Sequence, residues 1–225
     1  MVIALALCHA EHSTMSASAP LLPSVAKELP DTARDAYAAA TEDVQTRLTR
    51  RLPPLVLTLC IEMGNAAIIM SYSGELLRYP LLVGFIPVIS ALGGNIGLQS
   101  SSITTRALSH GLASADEATA TIRHEMSAVV FLSAALSAML FAIAATWRSI
   151  QTNEMDFGFG LVVAISQFVS ALMGGLLGVL TPLFYRYLDM DPASNAGPLD
   201  TAVQDVLGNS LFLATAGWLL NVFGY

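Results

Sequence analysis

The chain is poor in charge, in lysine and in cysteine. Only 12% of its 225 residues are charged, about half the share of a soluble domain. Lys27 is the sole lysine, and Cys8 and Cys60 are the only cysteines. A basic surface for nucleic acid is excluded by a net charge of −7, and two cysteines far apart, one of them within an apolar stretch, do not make a disulfide framework. Gly-x-Ser-x-Gly, His-Glu-x-x-His and P-loop patterns are all missing, so an enzyme is not expected. The eight apolar residues at the N-terminus are too few to span and follow no basic residue, which argues against a signal peptide. What remains is hydrophobicity: 54% of residues are apolar and mean hydropathy is +0.62. These values place the chain in the membrane class.

Residues 1–30 read as an irregular tail broken by Pro20, Pro23 and Pro30. Asp31 is placed to cap a helix over about 31–51, a cytoplasmic connecting segment. Five apolar stretches follow, near 54–72, 79–101, 126–147, 158–183 and 197–221. Each approaches the roughly 20 residues a span requires. The expected fold is therefore an all-α, multi-pass membrane domain of five helices over residues 52–225. With the N-terminus inside, Lys27, Arg34, Arg47, Arg50, Arg51, Arg106, Arg123 and Arg186 fall on the cytoplasmic side and only Arg78 and Arg148 outside. That asymmetry puts the N-terminus in the cytoplasm and the C-terminus outside.

Residues 85–105 turn from an apolar run into Gly93, Gly94, Asn95, Gly97, Gln99, Ser100, Ser101 and Ser102. Such side chains cannot face hydrocarbon, where an unmet polar group costs several kcal/mol. They call for protein or water beside them. Glycine lets backbone carbonyls approach a ligand, and carbonyl oxygens suit hard divalent cations. Asp205, in the last apolar stretch, is a carboxylate at membrane depth and so a functional candidate. Thr201 and Gly208 share roughly its helical face. Asp200 lies off that face and is expected to meet another helix or the cytoplasmic mouth. Asp189 and Asp191 read equally as helix caps or as an acidic vestibule. Glu62, with Asn65 three residues on, reads as a structural pair or as a proton carrier. His9 and His12 around Glu11 are a weak metal signal. His110, Arg123, His124 and Glu125 read as a solvated loop. Gly174, Gly175 and Gly178 lack polar company and read as close helix packing.

Residues 50–225 resemble the membrane domain of the MgtE magnesium channels and transporters. The likeness rests on Arg51-Leu52-Pro53, on Pro87 before Gly93-Gly94-Asn95-x-Gly97-x-Gln99, and on Arg106-Ala107-Leu108. It continues with Pro182, then Asp191-Pro192-Ala193, Gly197-Pro198, Asp205-Val206 and Gly208. The resemblance implies a homodimer of five-helix subunits in the plasma membrane, its second and fifth helices lining one pore for Mg²⁺. By the same likeness Asp205 is the central ion-binding carboxylate. Asp191, Gly94 and Gly97 accompany it as cation-contacting positions. Asn95, Gln99, Ser101, Thr201, Gly197 and Gly208 line the path, and no organic cofactor is implied. The cytoplasmic helical domain and paired CBS domains of full-length members have no counterpart here, and Glu62 and Asp200 depart from the family pattern. Those two acids carry the alternative of a proton- or sodium-coupled transporter. A membrane scaffold without transport is the remaining alternative.

Overall fold

A computed structural model describes residues 42–109, 115–154, 156–189 and 198–225. The chain divides into two compact units, Met1–Pro53 and Pro54–Tyr225. Of the first, only residues 42–53, which include the beginning of one helix, are described. The 1–30 tail with its histidines, most of the expected 31–51 helix, His110, Asp191 and Gly197 lie outside the described residues.

The described residues form helices and turns: α1 Val44–Ser71, α2 Ser73–Arg78, α3 Leu81–Ser109, α4 Ala115–Thr152, α5 Phe157–Tyr187 and α6 Pro198–Val222. Four of them, α1, α3, α4 (its Thr119–Thr152 part) and α5, are long and apolar enough to cross a membrane. The described residues are thus all-helical, and the protein is a multi-pass integral membrane protein. The fifth expected span coincides with α6. Its 25 residues rise about 37 Å at 1.5 Å each, but Gln204, Asp205, Asn209 and Asn221 dilute its apolar character.

Local chemistry sets the helix ends. Pro80 precedes α3, and the Val83 amide donates to its carbonyl at 3.1 Å, a use of proline where a helix start leaves amides unpaired anyway. Asn153 bends the chain between α4 and α5 at φ 56°, a region asparagine tolerates better than most. Asp156 caps α5, accepting from the Phe159 amide at 2.9 Å. In this respect the 110–125 expectation is corrected. Arg123, His124 and Glu125 belong to helix α4, and Glu125, only 8% exposed, accepts a hydrogen bond from the Ser100 hydroxyl at 2.9 Å. Charge alone suggests a loop, but the helix keeps Arg123 and His124 exposed and turns Glu125 inward to Ser100.

α5 is the centre of the bundle. It packs along α3, α4 and α6, and α6 also lies on α3. Glycines make this possible. A Cβ on Gly174 would press on the Gly93 carbonyl, one on Gly178 would overlap the Gly97 carbonyl, and one on Gly175 would meet Val129. Backbone meets backbone there, as small residues permit in membrane helices. The pairings 174 with 93 and 178 with 97 make α3 and α5 run in the same direction. Apolar packing completes the half of the bundle nearest the α4–α5 turn: Leu82, Phe85, Ile89, Phe159, Val163 and Phe212 belong to one buried cluster.

The α4–α5 turn is closed by Asp156. Besides capping α5, it accepts from the Tyr225 hydroxyl and from Arg148 Nε at 3.4 Å. Burial pushes its carboxyl pKa up, but hydrogen bonds from Tyr225, Phe159 and Arg148 and the Arg148 charge outweigh burial and hold it below the ordinary 3.8. A depressed carboxylate stabilises the fold fully above its unfolded pKa and loses that contribution as pH falls through the lower, folded one. Thermal unfolding followed from pH 7 to pH 2 is therefore expected to show an acid limb below about pH 4 that Asp156→Asn flattens. The Tyr225 hydroxyl is pushed up to about 12 by burial and by Asp156, so the phenol stays neutral and donating across the physiological range. Tyr225→Phe is expected to lower stability in detergent by about 1 kcal/mol.

Candidate functional site

The apolar side of α3 faces its neighbours, and its second half carries a polar edge. Gly93 and Gly97 are buried. Gly93 faces Ser170 and Gly174 of α5. A Cβ on Gly97 would collide with the Gln204 side chain of α6. Gly94 is buried too, yet nothing lies within 4 Å of where its Cβ would be. Asn95, Gln99, Ser102 and Arg106 stand exposed at helical spacing of three and four, one stripe down the outer face. Arg106 donates to the Ser102 hydroxyl at 3.2 Å. Ser101, by contrast, is buried.

α6 runs opposite to α3, pairing Asn209 with Ser90 and Gln204 with Gly97. Gly208 lies against the Ser170 hydroxyl of α5. Asp205 is half-buried, with Glu62 of α1 and Ser90 of α3 as its polar neighbours. Glu62 in turn accepts from the Asn65 amide at 3.0 Å. Asn65 accepts from the Asn209 amide at 3.3 Å, and Asn209 accepts from the Ser90 hydroxyl at 2.9 Å. Asn209 is 2% and Asn65 6% exposed, so this ladder is buried and links α1, α3 and α6. Buried polar groups need partners of this kind.

Asp200 is placed elsewhere. It is 7% exposed and accepts from the Tyr185 hydroxyl of α5 at 2.9 Å. Thr201 is partly buried one turn before Asp205. The structure thus brings Asp205, Glu62 and Ser90 together, sets Asn95 and Gln99 on the exposed edge of α3, and uses Gly97 and Gly208 in helix contacts. Among the described residues no three acids, histidines or cysteines converge as a metal cage. Two carboxyl groups and neutral amides suit a cation that keeps much of its water, as Mg²⁺ does.

Sequence reasoning passed over Ser90, Asn209, Gln204 and the buried Ser166, Gln167 and Ser170 of α5. Asn209 had a signal: it follows Asp205 by four, on the same helical face of an otherwise apolar run. Gln167 and Gln204 were lone amides with nothing local to mark them.

Residues 86–215, more than half of the chain, match the MgtE family, described as divalent cation transporters. The chain belongs to the MgtE family. The match takes in α3, α4, α5 and the part of α6 bearing Asp205 and Asn209. Curated MgtE relatives include the magnesium transporter MgtE of Bacillus subtilis, 30% identical over 74% of this chain and 36% of its own. That of Enterococcus faecalis is 23% identical over 78% of this chain and 37% of its own. The magnesium transporter MgtE of Thermus thermophilus is 27% identical over 74% of this chain and 35% of its own. The chain spans about a third of the length of these MgtE relatives, in line with the membrane-domain likeness read from its motifs.

Proposed function

We propose that the MgtE-like chain carries Mg²⁺, or a related divalent cation, across the membrane along a path between two copies of itself. In this reading α6 is the fifth span, α3 and α6 line the path, and Asp205 of each copy is its central cation-binding group. The observation that carries it is the exposed stripe of Asn95, Gln99 and Ser102 on α3. On a membrane helix that stripe cannot face lipid, and a water-filled seam against a second copy accommodates it. The open space beside Gly94 leaves room for a hydrated ion near its backbone. The N-terminus is cytoplasmic in this arrangement, so an inside-negative potential drives a divalent cation inward by about 4.6 kcal/mol per 100 mV. The description of the family as divalent cation transporters and the names of the magnesium transporter relatives support the cargo.

The test is Mg²⁺ uptake by proteoliposomes under an imposed potential, with Ca²⁺, Mn²⁺ and Co²⁺ as competitors. Uptake that follows the potential and needs no pH or sodium gradient is expected. The closeness of Glu62 to Asp205 favours one rival, a proton-coupled carrier, and obligatory proton counterflow would replace the passive path by that rival. The shared seam has its own check. With Cys8 and Cys60 replaced by serine, Asn95→Cys and Gln99→Cys are expected to form disulfide-linked dimers in membranes. Failure of both positions to cross-link would remove the two-copy path.

A further inference from the structure

Glu62 is an acid in the middle of a membrane helix, and the ladder described above fixes where it points. Asn65 donates to one of its oxygens, Asn209 donates to Asn65, and Ser90 donates to Asn209. The donors run in one direction, from the Ser90 hydroxyl to the Glu62 carboxyl, through two side chains that are almost wholly buried. Asn209, the α6 rung of the ladder, lies one turn after Asp205, and Glu62 is the neighbouring carboxyl group of Asp205. The ladder side chains are neutral, so they offset hydrogen-bonding need but no charge. Two neighbouring carboxylates repel unless something positive stands beside them.

We infer that Glu62 is a second cation-binding carboxylate of the Asp205 site, and that Asn65 and Asn209 are its positioning residues. This rests on the reading of Asp205 as the central ion-binding group and adds to it a residue from α1. Each subunit then offers two carboxylates instead of one, and the ladder of amides sets their spacing. The added charge strengthens the preference for divalent over monovalent cations, because the Coulomb attraction scales with the charge of the ion. The amides keep Glu62 on station without entering the path themselves.

The experiment is a double-mutant cycle read as half-saturating Mg²⁺ and as Mg²⁺-over-Na⁺ selectivity in proteoliposomes of the full chain. Glu62→Gln retains an acceptor for Asn65 and removes the charge. It is expected to raise half-saturating Mg²⁺ by about tenfold, more than it lowers the maximal rate, and to lower selectivity against Na⁺. Asn209→Leu is expected to move both values in the same direction by a smaller factor. The double variant is expected to match Glu62→Gln alone, since residues acting through one group do not add. Glu62→Asp is expected to recover part of the Mg²⁺ affinity. Asn209→Leu adding its full effect on top of Glu62→Gln would make the ladder a packing feature and overturn the positioning role. Asp205→Asn abolishing uptake while Glu62→Gln leaves half-saturation and selectivity unchanged would overturn this inference alone. Asp205→Asn with undiminished uptake would overturn the ion site and this inference with it.

Discussion

Asp205→Asn in both copies is expected to abolish Mg²⁺ uptake while the protein still folds. The amide keeps the shape of the carboxyl group and can still reach Ser90 and Glu62, so the α1, α3 and α6 contacts survive. What goes is charge. At about 4 Å and an effective dielectric constant of about 20, one unit pair is worth about 4 kcal/mol, and a divalent ion doubles it. Losing even the smaller amount weakens occupancy about a thousandfold. Uptake at millimolar Mg²⁺ should fall to the level of empty liposomes, with an unchanged elution profile in detergent as the control. Uptake within a few-fold of wild type would show that Asp205 is a packing residue and that the cation path runs elsewhere.

Gly178→Val is expected to prevent assembly of the bundle. A Cβ at this position would lie inside the carbonyl of Gly97, and both partners are helix backbone with no flexible end to yield. Overpacking a core costs about 1–3 kcal/mol when side chains can shift. Here two helices must separate along an extensive contact, so the loss should exceed that range and leave no monodisperse protein. Gly94→Ala is the matched comparison. No neighbouring side chain or other helix stands within 4 Å of the added carbon, so that variant should fold, and any change in Mg²⁺ uptake reports on the path beside Gly94. A folded, monodisperse Gly178→Val would contradict the close α3–α5 approach.

Much of this architecture can be read from residues in order. The apolar runs near 54–72, 79–101, 126–147, 158–183 and 197–221 mark the helices, because a span must satisfy its own backbone. The sudden polarity after Gly93 marks the unusual face of α3, and Asp205 stands out because a carboxyl group is costly in hydrocarbon. The partners of Asp205 do not announce themselves in this way. Asn65 and Asn209 are 144 positions apart, and an amide that pairs across helices leaves no periodicity or spacing to detect. Glu62 comes near Asp205 through the Asn65–Asn209 contact between α1 and α6, which local composition does not encode. The helical continuation through Arg123 and Glu125 was hidden for the opposite reason: charged residues near a membrane border look the same in a loop and in a helix that outruns the bilayer.

The backbone seams of α5 also constrain motion. With Gly174 and Gly178 seated on α3, and Gly160 and Gly175 seated on α4, α5 cannot turn about its own axis without driving main chain into main chain. It behaves as a fixed keel. The keel does not grip α1, which meets α6 through the Asn65–Asn209 rung and the buried apolar cluster through Ile69.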